Sequence, residues 1–318
     1  MGERGLALKN LFSYRSLVHA VAGATGSSVA ITTFYPFETA RTRLQVDDQR
    51  KAQYSPAVIA EIFEEEGLRG VYRGWFPVVT SIYCSNFVYF YVFNGLKAIV
   101  YGPQSNPTAA KDLLLGLIAG ATNVLLTTPL WVANTRLKLQ GIKWKTRNDN
   151  QKAKHPHYKG IFDCLNKIVT QDGVPALWSG TVASLMLTSN PAVHFMVYDA
   201  LKRYLQKRLG GKQLSSGVIF VVGALAKLVA TFVTYPLQVV QARLRAGQNK
   251  TGRGVMAMIQ ILREIIRAHG LLGVYKGLEA KLTQTILMAA LMFLTYEKIA
   301  SNVFRIMHSQ MANGQVKV

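Results

Sequence analysis

Acidic residues are scarce in this chain, with 16 Asp and Glu set against 37 Lys and Arg in 318 residues, for a net charge of +21. Such an excess ordinarily suggests nucleic acid, but here the cations do not line one soluble face. They crowd the connections and the ends of apolar runs, most densely in KWKTRNDNQKAKHPHYK (143–159) and KRYLQKRLGGK (202–212). That placement points to anionic headgroups, phosphate-bearing solutes or membrane topology, and no nucleic-acid partner is expected. The two segments fall on opposite sides of a six-span arrangement, so counting charges leaves orientation open. Cysteine is nearly absent: Cys84 sits in an apolar run and Cys164 in a short amphipathic segment, which excludes a disulfide framework and marks both as packing residues. Six scattered histidines and two cysteines supply no metal or nucleophile constellation. No Walker A loop, G-x-S-x-G elbow or H-E-x-x-H pair occurs either, so neither catalysis nor a bound cofactor or metal is expected. No cleavable signal is expected at the N-terminus, and Leu6 breaks a myristoylation pattern that Gly2 would otherwise begin.

What the chain has in quantity is apolar residues, half of the total, with a mean hydropathy of +0.16. Residues 74–96, 112–133 and 173–198 contain no Lys, Arg or Glu, and each run is long enough to span hydrocarbon as a helix. Three weaker runs, 16–37, 213–235 and 282–296, bring the expected number of spanning helices to six. The fifth contains Lys227. An ammonium at the centre of a bilayer costs about 2.5–3.5 kcal/mol on insertion scales, so such a residue faces protein or water and serves a purpose.

Three prolines close three of these runs: YPFETARTRLQ at Pro36, TPLWVANTRLKLQ at Pro129 and YPLQVVQARLR at Pro236, separated by 93 and 107 residues. An arginine follows each by seven residues (Arg43, Arg136, Arg243), and a glycine precedes each by thirteen (Gly23, Gly116, Gly223). A second block follows each proline: EGLRGVYRG (66–74), DGVPALWSG (172–180) and HGLLGVYKG (269–277). A third closes each copy: FNGLK (93–97), YDALK (198–202) and YEKIA (296–300). Each copy therefore predicts a long apolar helix with a kinking proline, a polar loop, a short amphipathic helix and a second long apolar helix. Glycines with small neighbours let helix backbones approach closely. The expected fold is all-α, six transmembrane helices in three pseudosymmetric repeats (14–105, 106–210, 211–305) with three short amphipathic helices, around a central cavity. A tail, 306–318, follows this single domain.

The pattern of proline with a downstream acid and bases, then acidic-Gly and aromatic-basic-Gly, then aromatic-acidic-x-x-basic, resembles the mitochondrial carrier family over residues 14–305. Within it, NFVYFYVFNGLK (86–97), TTPLWVANTRLKLQG (127–141), KGLEAKLTQT and ALMFLTYEK look most like the peroxisomal branch, which carries coenzyme A, FAD, NAD and adenine nucleotides. The resemblance implies counter-exchange of such anions across the peroxisomal membrane, with the inner mitochondrial membrane as the alternative. Membrane lipids, the anionic solute and peroxisomal membrane-insertion machinery are the implied partners.

The family also implies an inner gate two and five residues after each proline, which here holds Glu38 and Arg41, Trp131 and Asn134, and Gln238 and Gln241. Pairing each acidic position with the next repeat's basic one joins Glu38 to Asn134, Trp131 to Gln241 and Gln238 to Arg41, with no ion pair among them. The gate is then hydrogen-bonded and partly aromatic. At the other end, Asp199 and Glu297 would pair with Lys97 and Lys202 of neighbouring repeats, while Asn94 and Ala300 depart from the pattern. An i,i+3 pair between Asp199 and Lys202 is the simpler reading. Arg43, Arg136 and Arg243 have three open readings: substrate phosphate, helix capping or lipid phosphate.

Lys227 lies eleven residues before Gln238, a rotation of about 1,100° that returns it to within about 20° of the gate-facing stripe. Its counterparts are Ser27 and Gly120, so only the third copy presents a cation there, and a phosphate or pyrophosphate of the cargo is the expected contact. The alternative is an ammonium snorkelling to headgroups or capping carbonyls. The family's contact zone falls on Ser81 and Ile82, Met186 and Leu187, and Gln284 and Thr285, with Asn86, Tyr89, Asn190, His194 and Lys281 nearby. Two other classes compete with a carrier. A membrane enzyme lacks any nucleophile or metal set, and an architectural or protein-import component leaves Lys227 without a purpose.

Overall fold

The computed structural model describes residues 26–47, 54–101, 108–140, 157–209, 214–248 and 254–312, and within them every regular element is helical. Two compact units are distinguished, one of residues 39–279 and one drawn from the segments before 39 and after 279. In chain order the helices are α1 (Tyr35–Val46), α2 (Ser55–Val71), α3 (Trp75–Val100), α4 (Ala109–Leu139), α5 (Ile161–Asp172), α6 (Thr181–Leu187), α7 (Asn190–Arg208), α8 (Ser216–Arg245), α9 (Gly254–Gly273) and α10 (Leu278–Ala312). A single 3-10 segment, Val174–Trp178, separates α5 from α6.

Among the described residues three helical spans are long and apolar enough to cross a membrane: Trp75–Val100, Lys111–Leu139 and Gly217–Arg245. Six were expected. Residues 16–25 of the run 16–37 lie outside the described residues, and 282–296 falls within α10, which is not one of the three. The run 173–198 is interrupted, and Pro191 explains how. Proline has no N–H and its ring crowds the carbonyl four residues back. The ladder therefore tightens just before it, with Thr188 N donating to Leu185 O and Ser189 N to Met186 O at 3.1 and 3.2 Å before regular bonding resumes in α7.

Pro129 and Pro236 sit inside continuous helices, so the freed carbonyls need other donors. For Pro129 the orphan is Leu125 O, and the indole Nε1 of Trp178 donates to it at 2.9 Å. Thr127, Thr128, Thr231 and Thr234 donate their hydroxyls to carbonyls one turn back on the same helices.

Each copy builds its core in the same way, by laying an amphipathic helix against the segment after its proline. Ala40 and Leu44 of α1 meet Val58 and Ile62 of α2. Val132, Ala133 and Leu137 of α4 meet Cys164 and Ile168 of α5. Val239, Val240 and Leu244 of α8 meet Met258, Ile261 and Ile265 of α9. Each fully buried side chain of this size contributes about 1.5–3 kcal/mol. A fourth cluster joins the copies: Val46, Leu139 and Ala246, each ten residues after its proline, are buried together. The C-terminal ends of α1, α4 and α8 thus converge. The last glycine of the second block lets the chain turn into the next long helix, since Gly180 and Gly277 adopt φ of 83° and 80°. They also permit close crossings, because a Cβ at Gly180 would lie 3.4 Å from Gln241 O and one at Gly277 would lie 3.3 Å from Arg41 O.

Candidate functional site

The arginines seven residues after the prolines divide into two kinds. Arg43 is fully buried and forms a fork with Glu66, Nη1 to Oε1 at 2.7 Å and Nη2 to Oε2 at 3.0 Å. Arg73 adds a third contact to the same carboxylate at 3.0 Å and also donates to the carbonyl of Gln140 at the end of α4. Arg136 pairs with Asp172 at 2.5 Å. Arg243 instead donates from Nε to Gln45 O at 3.0 Å. Arg43 and Arg136 are therefore ties between a long helix and its amphipathic neighbour, and the reading of them as phosphate ligands is corrected. Glu66 and Asp172 were in plain view in the second block, at the acid before its first glycine, and are the functional partners that reading missed.

At the inner-gate level Arg41 Nη2 donates to Gln238 Oε1 at 2.9 Å, the contact expected between those two positions. The expected meeting of Trp131 with Gln241 does not form. Gln241 Nε2 donates to Ser184 Oγ at 2.8 Å, and the ring of Trp131 lies under the guanidinium of Arg245, 5.6 Å from it. Ser184 and Arg245 were thus absent from the sequence reading. Asn134 is 2% exposed and its Oδ1 has no hydrogen-bond partner. Glu38 is half-buried at the start of α1. Pro36 lies at that helix's second residue, just past a break at Phe34.

Lys227 is exposed on α8, and its ammonium has no polar partner among the described residues. Below it run Thr231, Thr234, Gln238, Gln241 and Arg245, at intervals of three or four residues that keep them on one helical face. α7 meets this stripe. Asn190 Nδ2 donates to Thr234 Oγ1 at 2.8 Å, and His194 Nε2 is 3.3 Å from Gly223 O, one turn above Lys227. Gly120, the second copy's counterpart of Lys227, packs against Thr188, where a Cβ would sit 3.6 Å from the threonine methyl. Ser27, the first copy's counterpart, points its Oγ at Met292 Sδ at 3.6 Å.

The remaining contact-zone residues are scattered in role. Ser81 is 1% exposed and donates to Pro77 O at 2.7 Å, so its hydroxyl serves its own helix and the expectation of a solute contact is corrected. Ile82 is half-buried, Met186 is exposed and Leu187 half-buried. Asn86 lines a groove of about 800 Å³ with Tyr83, Phe87, Phe90 and Tyr91, all on α3. Tyr89 faces elsewhere, its hydroxyl 3.4 Å from where a Cβ on Gly116 would be. On α10, Gln284 is buried with Oε1 lacking a hydrogen bond, Thr285 donates to Lys281 O at 2.7 Å, and Lys281 is half-buried.

At the opposite helix ends, among the described residues, Asp199 meets neither Lys97 nor Lys202. Lys97 faces Asp112 of α4 at 3.6 Å and lies over the rings of Phe93 and Tyr101. Asp199 accepts from Arg203 at 2.5 Å, and Lys202 lies over Tyr198. Asp199 has therefore taken Arg203 in place of the expected Lys202, which corrects that pair, and Lys97 has Asp112 as a partner. The side chain of Glu297 lies outside the described residues. The proline-side ends of the helices are joined while the acidic and basic groups at the other ends have taken local partners.

On the short helices, Asp163 is held below the usual carboxylate range by the backbone N–H of Lys159 and then by the ammonium of Lys167. Burial beside Ala133 pushes the Cys164 thiol up to about 12. No cluster of metal-ligating side chains occurs among the described residues.

Helix pairs with one amphipathic helix per copy, tied in the first two copies by Arg–carboxylate pairs, describe a membrane carrier rather than an enzyme. The profile of the family described as mitochondrial carrier protein matches three successive segments, 13–104, 105–209 and 212–306, and the chain belongs to that family of non-catalytic membrane transporters. It is similar to peroxisomal membrane protein PMP34 of Mus musculus, 51% identical over 306 residues covering 94% of this chain and 97% of that one. It is 31% identical to nicotinamide adenine dinucleotide transporter 2, mitochondrial, of Arabidopsis thaliana, over 90% of this chain and 80% of the other. The peroxisomal nicotinamide adenine dinucleotide carrier of the same plant is 30% identical, with 89% and 95% covered.

Proposed function

We propose that this protein exchanges anionic adenine-containing cofactors, coenzyme A, FAD, NAD, AMP and their relatives, across the peroxisomal membrane by alternating access. In this reading the three copies place six helices around a central cavity, and the solute sits near the midplane between gates. The observation that carries it is Lys227, exposed at membrane depth on a polar stripe of α8, with no polar partner among the described residues. Such a cation is costly to retain unless an anion meets it. A pyrophosphate-bearing solute supplies that charge, and its adenine requires only apolar and hydrogen-bonding walls. The likeness to a peroxisomal membrane protein and to transporters named for nicotinamide adenine dinucleotide supports the compartment and the solute class. The likeness to a mitochondrial dinucleotide transporter favours, as the second reading, the same chemistry in the inner mitochondrial membrane.

Purified protein in liposomes loaded in turn with coenzyme A, FAD, NAD, AMP, ATP and a dicarboxylate tests the substrate class. Rapid exchange is expected for the adenine cofactors alone, and it falls at least about tenfold in Lys227→Met, the equivalent of one charge-assisted hydrogen bond. Equal flux of all solutes, or none, sinks the class. At the inner gate the guanidinium of Arg41 donates to a neutral amide, Gln238, and Gln241 donates to the hydroxyl of Ser184. Exchange is accordingly expected to be loosely coupled, and Glu38→Gln retains measurable flux. Complete loss in that variant would show that a gate ion pair is essential after all.

A further inference from the structure

Lys227 and Arg245 are eighteen residues apart on α8, five full turns of an ideal helix, so they lie on one line about 27 Å apart. Between them Thr231, Thr234, Gln238 and Gln241 form an uncharged polar track. Arg245 differs from the other guanidiniums near the helix ends. Its Nη2 donates to Ser184 Oγ at 3.1 Å, its plane rests over Trp131, and its Nε is buried without a partner. The nearby charge acting on it is Arg41, of the same sign. Where Arg43 and Arg136 have carboxylates, Arg245 meets a neutral hydroxyl and a ring among the described residues.

Ser184 is itself fully used. It donates to Gly180 O at 2.8 Å and accepts from both Gln241, at 2.8 Å, and Arg245. A hydroxyl oxygen shared by two donors is a weak anchor for a half-buried guanidinium whose Nε has no partner, whereas phosphate oxygens form charge-assisted pairs about twice as strong as neutral ones. We propose that Arg245 is a second phosphate-binding station, at the inner closure, which takes the phosphate or pyrophosphate of the solute in place of Ser184 as the closure opens. Lys227 receives the anion at one end of the track and Arg245 receives it at the other. The solute's charge then compensates for the hydrogen bonds that break when α8 parts from α6 and α4. This rests on the proposed carriage of phosphate-bearing cofactors and adds where the phosphate goes after it first meets the protein.

The test is thermal unfolding of the full-length protein in detergent, titrated with inorganic pyrophosphate and, separately, with anionic phospholipid. Pyrophosphate is expected to raise Tm, with an apparent affinity that drops at least about tenfold in Arg245→Gln and is partly kept in Arg245→Lys. Ser184→Ala removes the neutral competitor and is expected to strengthen pyrophosphate binding. If Arg245 were only a strut of the closed gate, Ser184→Ala and Arg245→Gln would lower Tm together and leave the pyrophosphate response unchanged, which overturns the proposal. A response to phospholipid with none to pyrophosphate overturns it too, since the anion would then be a headgroup. Loss of the response in Lys227→Met but not in Arg245→Gln removes the second station and leaves the carrier reading intact. Liposomes indifferent to adenine cofactors, with the pyrophosphate response still dependent on Arg245, would remove the solute class and leave the station.

Discussion

In the first two copies the arginine seven residues after the proline reaches the carboxylate of its own copy's second block, and in the third, whose second block has no acid at that place, it donates to a backbone carbonyl of the first copy. Arg43 meets Glu66 and Arg136 meets Asp172, while Arg243 donates to Gln45 O and the residue before the block's first glycine is His269. The third copy also supplies both cations of the α8 track, at positions where the second has Gly120 and Lys138 and the first Ser27 and Gln45. A threefold frame built from near-identical parts must become unequal wherever it holds an unsymmetrical anion. The inequality has been concentrated in one copy. The first two copies use Arg43 and Arg136 to hold helices together, and the third sets Lys227 and Arg245 along a polar track.

The largest test of that division is Arg43→Ala beside Arg245→Ala. Removing one partner of a buried ion pair strands the other charge and costs about 3–5 kcal/mol. Loss of a charged group's hydrogen bond to a neutral hydroxyl costs about 1.5–3 kcal/mol. Unfolding in one detergent is expected to show Arg43→Ala as the more damaging change, and equal losses would erase the distinction between the copies.

Most of the helical plan was legible because three ordered blocks recur, and each block has a local physical reason: proline, turn glycine, amphipathic face. The division among the arginines was less so. Whether Arg43 reaches Glu66 depends on how α1 and α2 cross, and a separation of 23 positions in the chain carries no trace of that angle. The partner of Asp199 was misassigned for a related reason. Asp112 and Arg203 lie within reach of the same side chains on neighbouring turns or helices, and the chain has taken those local partners in this arrangement. The break at 188–189 could have been foreseen from Pro191 alone, but a charge-free run outweighed it. Arg245 was visible in principle, since the rotation that puts Lys227 on the gate stripe also reaches it after five turns. It stands nine residues after Pro236, beyond the positions where the family has its gate, and no motif marks it.

The smallest effect compares the second copy's core with the surface of its neighbour. Cys164 is fully buried under Ala133 O, whereas Cys84 is exposed on α3. Burial raises the Cys164 thiol from 9.0 to about 12, so the folded protein keeps it protonated and without a nucleophilic thiolate at neutral pH. Maleimide at pH 7 in detergent is expected to label Cys84 and to leave Cys164 unmodified until the protein unfolds. The raised value also has a stability consequence. An unfolded thiol releases its proton near its ordinary value while the folded one holds it, so this group's contribution is constant below about pH 9 and is lost as pH climbs from there towards 12. Replacing Cys164 with alanine should remove that alkaline slope and open a small cavity, whereas Cys84→Ala should do neither. Rapid labelling of Cys164 in the folded state would mean that α5 leaves α4 far more often than the Arg136–Asp172 tie allows, and the first two copies would then be no firmer than the third.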